Sequence, residues 1–248
     1  VDQVAFSLDA PSAAEHDGFR GVEGSFAKTL EAVSWAHELG LPVQINTCFG
    51  AWNFAHLEAM IELVSGLGVV FWEVFFLVPT GRGSAMEGLT AGQFEHAFAR
   101  LHALSQRVSF VVKLTEAQHY RRYVLQEEAR LRRAGQAPAR PVMGASAPAV
   151  NAGKGFLFVD HRGDAYPSGF LPLVLGNVRD KSLTELYRDH ETMKGLRDPA
   201  RLGGKCGACE FRVVCSGSRA RAFAMTGDLY AAEEACAYEP GSQGKSVA

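Results

Sequence analysis

The stretch "KCGACEFRVVC", residues 205–215, gathers three of the chain's five cysteines at spacings of two and then five residues. A fourth, Cys236, follows after twenty intervening residues in "EEACAYEP", which completes the set Cys206, Cys209, Cys215 and Cys236. The fifth, Cys48, lies far away in sequence. Thiolates bind soft or borderline metals, and a C-x2-C knuckle brings two sulfurs toward one site because the turn between them points backbone N–H groups inward. Zinc and an iron–sulfur cluster both satisfy this chemistry. Structural zinc sites usually use two close-spaced pairs, whereas this pattern has one pair, one single cysteine and one distant one, which favours a cluster. Arg219 and Arg221, in "SGSRARAFA" just beyond Cys215, can offset the charge of four thiolates, or they can equally form a solvated helix face.

Composition narrows the context. A chain of 248 residues, 47% hydrophobic, can bury one large core or two modest ones. A net charge of -2 with both signs mixed along the chain leaves no basic stripe for nucleic acid or an anionic membrane. The longest apolar runs fall short of the ~18–20 residues a bilayer requires, and no charged n-region precedes an apolar h-region. These features point to a cytoplasmic protein. In a reducing compartment two disulfides are a poor use for the cysteine set, and a metal or redox site is the better one.

Upstream, strand-like and helical patterns alternate. "VDQVAFSLDA" opens directly on a strand, and "SFAKTLEAVSWAHELG" carries Phe26, Leu30, Val33 and Leu39 near a 3.6-residue period before stopping at Gly40. "LPVQINTCFG" reads as a buried strand, "FAHLEAMIELVSGLG" as a helix, and "VVFWEVFFLVP" as a long apolar strand closed by "TGRG". "TAGQFEHAFARLHALSQ" begins with a capping box from Thr90 to Gln93, and "VSFVVKLT" supplies a fourth strand. Such alternation predicts a parallel sheet with crossover helices and a ligand at the carboxyl ends of the strands, at Ser7–Asp9, Asn46–Thr47 and residues 77–83. From about 115 to 150 a charged helix, "TEAQHYRRYVLQEEARLRRAG", runs into the connector "QAPARPVMGASAPAV". Its arginines and tyrosines read as a solvated face in preference to a surface for an acidic substrate. "GFLFVDHRGDAYPSG" predicts a hairpin turning at "HRGD", and "SLTELYRDHETMKGLRD" one helix with a capping box from Ser182 to Glu185. The eight histidines form no i, i+4 metal pair, and Cys48 reads as a buried thiol.

Residues 163–187, "GDAYPSGFLPLVLGNVRDKSLTELY", and 205–228, "KCGACEFRVVCSGSRARAFAMTGD", closely resemble the SPASM extension of radical S-adenosylmethionine (SAM) enzymes, in the subgroup that serves heme and heme d1 biosynthesis. "AFSLDAPSAAEHDGFRG" resembles the fourth strand of the radical SAM partial barrel, and "FFLVPTGRG" the sixth. The resemblance implies an α/β fold: the C-terminal portion of a partial (βα)6 barrel over residues 1–115, strands four onward, a helix and connector over 116–150, and a small α+β auxiliary-cluster domain over 151–248. It places Ser7 and Asp9 near SAM, Asn46 and Thr47 at the tip of the next strand, and Leu77, Val78 and Pro79 where backbone groups meet adenine. The bland alternatives are strand-end capping and core packing.

Two departures qualify the resemblance. The family's C-x3-C-x2-C loop, whose three thiolates leave one iron open to SAM, is absent from these residues, so the expectation is a C-terminal part of a longer protein that cannot cleave SAM by itself. The cysteine of a G-x4-C pattern is replaced by Ser168, read as a turn serine, and Ser218 and Arg219 stand where a further cysteine is expected. The resemblance therefore implies one auxiliary 4Fe-4S cluster on Cys206, Cys209, Cys215 and Cys236, with SAM and a second 4Fe-4S cluster in the intact parent. No catalytic residue is assigned. Expected partners are a tetrapyrrole or peptide substrate and an electron donor such as flavodoxin or ferredoxin. The alternative is a non-catalytic zinc or Fe-S module for partner recognition or electron transfer. The open side of a cut barrel exposes apolar strand edges, which predicts aggregation of the isolated chain.

Overall fold

The computed structural model describes residues 1–142 and 150–241. Residues 143–149, within the expected connector, and 242–248, at the end of the expected cluster domain, lie outside the described residues. The chain divides into two compact units. The first comprises Val1–Leu77, Met86–Thr115 and the stretch beginning at Leu131; the second takes Val78–Ala85, Glu116–Arg130 and the chain from Val150 on. Most of the charged helix after residue 115, which composition set apart as a connector, thus folds with the second unit.

The first unit is a four-stranded, all-parallel sheet in the order β1-β2-β3-β4, formed by Val4–Ser7, Val43–Phe49, Phe71–Phe76 and Val111–Thr115. Helices α1 (Ala13–Arg20) and α2 (Ser25–Glu38), then α3 (Leu57–Gly66), then α4 (Ala91–Ser105) supply the crossovers. Strand alternation splits the sheet into unlike faces. Val43, Ile45, Thr47, Phe49, Trp72, Val74, Phe76 and Val112 are buried on one face. Phe76 meets Phe94 of α4 at 4.8 Å between ring centroids, and Phe94 meets Phe98 at 5.8 Å. Each such side chain contributes about 1.5–3 kcal/mol by leaving water. Thr47 is tolerated there because its hydroxyl works twice, donating to the Leu8 carbonyl at 2.7 Å and accepting from Trp72 Nε1 at 2.9 Å.

The predicted helices and strands of this unit stand, including the Thr90–Gln93 capping box. Helix α1 has no counterpart among the expectations, because its eight residues, "AAEHDGFR", carry no apolar stripe. It is held by its ends: the Ser12 side chain accepts from Glu15 N, and Gly21 closes it in the left-handed region at φ 67°.

In the second unit, α5 (Tyr120–Arg133) begins the helical part, and a small antiparallel sheet follows in the order β5-β6-β7, Phe158–Val159, Asp164–Tyr166 and Gly176–Asn177. The β5–β6 hairpin turns at 160–164 as expected, with Asp160 Oδ1 accepting from Arg162 N at 2.8 Å and Asp164 N at 3.0 Å. The single helix expected over 182–198 is instead two, α6 (Leu183–Arg188) and α7 (Glu191–Arg197). His190 breaks it by taking an extended conformation and accepting from Thr192 N through Nδ1, so that it caps the second helix. Val78, Ala152, Leu171, Leu196 and Ala220 form one core cluster, and Ala165, Leu175, Leu186 and Met193 a second.

Asp17 carries a local load. Its carboxylate accepts from Gly24 N, Ser25 Oγ and Phe26 N at 2.7–2.8 Å, capping α2 from a distance. The Phe26 N–H, above all, holds its pKa below the usual carboxylate value. A depressed folded-state pKa contributes stability that is full above the unfolded value and lost as pH falls through the folded one. Asp17→Asn should therefore lower the melting temperature at pH 7, with the gap to wild type closing as pH falls below about 4, read by thermal melts across pH.

Candidate metal centre

All four expected ligands lie in the second unit and line one cavity, together with His119, Arg122, Lys205, Arg212 and Glu233. Cys206 lies in the short helix α8 (Gly204–Ala208), and Cys209 ends it in an extended conformation, the knuckle that C-x2-C requires. Tight turns return the chain, with Cys215 N bonding to Phe211 O at 2.9 Å. Beyond Cys215, Ser216 and Gly217 both adopt φ 62°, and this left-handed pair aims Gly217 N at Cys215 Sγ, 3.4 Å away. Glu233 N donates to Cys206 Sγ at 3.3 Å.

Burial pushes the Cys215 thiol up to about 12, with Cys236, Cys206 and Cys209 adding to the rise. Cys209 is raised by burial first, then by Glu210, Cys206 and Cys236. Burial first, and the neighbouring thiols after it, make Cys209 and Cys215 resist ionisation, and a bound cation would relieve that resistance. Cationic side chains already surround them. Lys205 Nζ donates to the Cys236 carbonyl at 2.6 Å, Arg212 Nη1 to the Gly207 carbonyl at 3.2 Å, and the Arg122 guanidinium lies 5.5 Å from the centre of the Tyr238 ring. Burial, and then Arg221, Arg122 and Lys205, hold His119 well below the usual histidine pKa, so the ring facing the thiols is neutral at pH 7. Among the described residues, no three His, Cys, Asp or Glu side chains close tightly enough to chelate an ion as they stand. The donor set, the inward N–H groups and the cationic rim nonetheless suit a thiolate-ligated cluster.

The Cys236 loop is tied to the other ligand segments by Lys205 and by Glu233, a residue that carries no motif signal in the sequence. Its Oε2 accepts from Ser218 N and Arg221 Nη1, both at 3.0 Å, and its Oε1 from Ala235 N at 3.2 Å. One carboxylate so ties the start of α9 (Arg219–Thr226) to the Cys236 loop. Arg221 Nη2 continues to the Glu116 carbonyl at 2.6 Å, and Ser218 Oγ to Glu116 Oε2 at 2.5 Å. Glu116 adopts φ 57°, and burial raises its carboxyl pKa despite the opposing Ser218 hydrogen bond and the Arg221 charge. Arg219 and Arg221 are 1% and 5% exposed, so they are no solvated face. Arg122 too is buried, which corrects the reading of that part of α5 as solvated.

In the first unit, the sheet face opposite the apolar one carries a polar row. Ser7, Asn46, Glu73 and Lys113 stand in register across all four strands. Glu73 accepts from Lys113 Nζ and Thr115 Oγ1, both at 2.7 Å, and from Gln44 Nε2 at 3.2 Å, while Gln44 Nε2 also reaches Asn46 Oδ1 at 2.7 Å.

No family model matches the chain. The AdoMet-dependent heme synthase of Methanosarcina barkeri is 35% identical over 250 residues, covering 98% of this chain and 69% of that protein. The chain belongs to the radical SAM family that includes the heme synthases. It spans 62–69% of the length of the heme synthases it matches. The pre-heme d1 synthase of Dinoroseobacter shibae is 29% identical over 258 residues, covering 95% of this chain and 61% of its own length. In fold, Streptococcus suis SuiB bound to its precursor peptide SuiA aligns with a TM-score of 0.64 at 12% identity, covering 94% of this chain and 53% of that one. No helix among the described residues is long and apolar enough to cross a membrane.

The residues that the radical SAM resemblance placed near SAM take different places in the fold. Ser7 is exposed and Asn46 half-buried on the polar row. Asp9 and Thr47 turn elsewhere. Asp9 is buried, accepts from Cys48 N at 2.8 Å and pairs with Arg20, while Thr47 is spent on Leu8 and Trp72. Leu77 N extends the ladder to Phe49 O at 2.9 Å, Val78 is core of the second unit, and Pro79 is half-buried. Ser168 Oγ accepts from Phe170 N at 3.2 Å, the turn role expected of it. Glu73 and Lys113 belong to no motif, and their signal in the sequence is a charge inside "FWEVFF" and another inside "VVKLT".

Glu233→Ala leaves the Arg221 guanidinium buried without its carboxylate and should cost about 3–5 kcal/mol. Denaturant unfolding of the full chain measures this, with Glu233→Gln losing less because it keeps the shape and an acceptor.

Proposed function

We propose that this chain is the auxiliary-cluster-bearing part of a radical SAM enzyme acting on a heme-type tetrapyrrole. Cys206, Cys209, Cys215 and Cys236 hold one 4Fe-4S cluster in this reading, within a SPASM-like domain that follows a part of the SAM barrel wall. The observation that carries it is the meeting of all four thiols on one cationic cavity, in a chain 35% identical to a heme synthase. A cluster held there supplies one-electron exchange for the substrate. The protein's own part is positional. Glu233 sets the distance between the ligand segments, Gly217 N and Glu233 N donate toward sulfur, and Lys205, Arg122 and Arg212 surround the site with positive charge. A donor such as flavodoxin or ferredoxin supplies electrons.

Ser7 and Asn46, on the polar row, are the side chains assigned to SAM or substrate. Asp9 and Thr47 shape the strand ends behind them, and Leu77 and Pro79 contribute backbone. The relatives do not favour a non-catalytic zinc module. A peptide substrate is the second reading, supported by the likeness to peptide-bound SuiB and by PqqA peptide cyclase relatives near 24% identity.

Anaerobic reconstitution should yield a brown chain with about four irons and a paramagnetic signal on reduction, both lost in Cys209→Ala. A colourless chain with one equivalent of zinc overturns the cluster. Without C-x3-C-x2-C the chain should form no 5'-deoxyadenosine from SAM under reducing conditions, and its detection by chromatography would refute that. A change in the absorption of an added porphyrin-type tetrapyrrole, absent with peptide, separates the two substrate readings.

A further inference from the structure

Arg219 is among the largest fully buried side chains of the protein. Its Nη1 donates to the Leu229 carbonyl at 3.0 Å and the Ala231 carbonyl at 2.7 Å. Its Nε and Nη2 are buried with no hydrogen-bond partner, and among the described residues no carboxylate forms an ion pair with it. A guanidinium does not lose its proton in a protein, so a buried one without an acid is costly unless negative charge stands nearby. The geometry beside Gly217 shows where that charge belongs. The point a Gly217 Cβ would occupy lies 2.7 Å from Arg219 Nη2 and 3.6 Å from Cys206 Sγ. The guanidinium and a ligand sulfur thus both border the same glycine. Any larger residue at 217 would strike both Arg219 and Glu233 Cβ, 2.8 Å away, in a backbone conformation that already favours glycine.

Lys154 lies near the same ligands. Its ammonium donates to Ser216 Oγ at 3.0 Å, one residue past Cys215. Burial and then Arg219 depress its pKa, opposed by Cys215 and Asp198. Glu233 is committed to Arg221 and to two backbone N–H groups, so it does not compensate this pair.

We propose that Arg219 and Lys154 are positioning cations that raise the reduction potential of the cluster bound by the four cysteines. This rests on the cluster reading above. On reduction one electron enters the cluster from the reductant, no bond breaks and no proton moves, and the cluster with its thiolates gains one negative charge. A fixed positive charge in a low-dielectric interior stabilises the more negative state more, so removing it makes reduction harder.

The test uses the full chain, reconstituted anaerobically as wild type, Arg219→Met, Arg219→Lys and Lys154→Met. Iron and sulfide are counted first, and midpoints then follow from dithionite titration monitored by electron paramagnetic resonance. With equal iron in all four, Arg219→Met should lower the reduction constant at least tenfold, ~59 mV for one electron. Lys154→Met should move it the same way by less, and Arg219→Lys should restore most of the loss. Unchanged or raised midpoints in both methionine variants at equal iron overturn the proposal and leave the cluster standing. If Arg219→Met fails to hold iron, Lys154→Met decides alone, with an unchanged midpoint overturning the proposal. Absence of iron from the wild type overturns the cluster reading itself and this proposal with it.

Discussion

The buried carboxylate of Glu233 holds the cysteine segments in a common frame. Three ligands arrive on one continuous stretch and the fourth beyond twenty intervening residues; the backbone returns this loop as far as Tyr230, whose carbonyl accepts from Gly203 N at 2.8 Å, but the residues up to Cys236 still have to be drawn toward the other thiols. Glu233 does so by accepting from Ser218 N, Arg221 Nη1 and Ala235 N at once, while its own N–H points at Cys206 Sγ. Arg221 then extends the tie to the Glu116 backbone, so that α9, the Cys236 loop and the lead into α5 share one charge network. Such networks are stable only when every member is satisfied, which explains why Glu116 tolerates a left-handed backbone and a raised pKa to take part.

The first unit solves a different problem with the same economy of polar groups. A parallel sheet normally has both faces covered and apolar. Here one face is apolar and the other bears Ser7, Asn46, Glu73 and Lys113 in register, the last three linked through Gln44 and Thr115. That row keeps the face polar. Thr47 and Asp9 show the opposite case, polar residues near the strand ends whose bonding capacity goes into the fold.

Much of the architecture was legible from periodicity. The four strands and helices α2, α3 and α4 follow the apolar period closely, because each must bury one face and the pattern of burial is written locally. The misses have equally local causes. Helix α1 lacks an apolar stripe and is held by Ser12 and Gly21, and the helix expected over 182–198 breaks at His190, whose imidazole competes for a backbone N–H. The cysteine set was legible for a chemical reason, since thiol donors declare themselves by residue type and spacing. The SAM-contact candidates came from the strand ends and the family resemblance, neither of which says to which face a side chain turns.

The sequence by itself determined the alternation of strands and helices, the four-thiol donor set and the family resemblance, because propensity, period and ligand chemistry are properties of residues and their near neighbours. Only the tertiary structure decided the fate of the charges. In sequence Arg219 and Arg221 fit a charge beside the thiolates and a solvated helix face equally well, and Glu233 carries no signal, yet all three are buried. Burial depends on residues far apart in the chain that come to surround a side chain, and it controls whether an arginine is a solvated charge or a fixed field at a cluster.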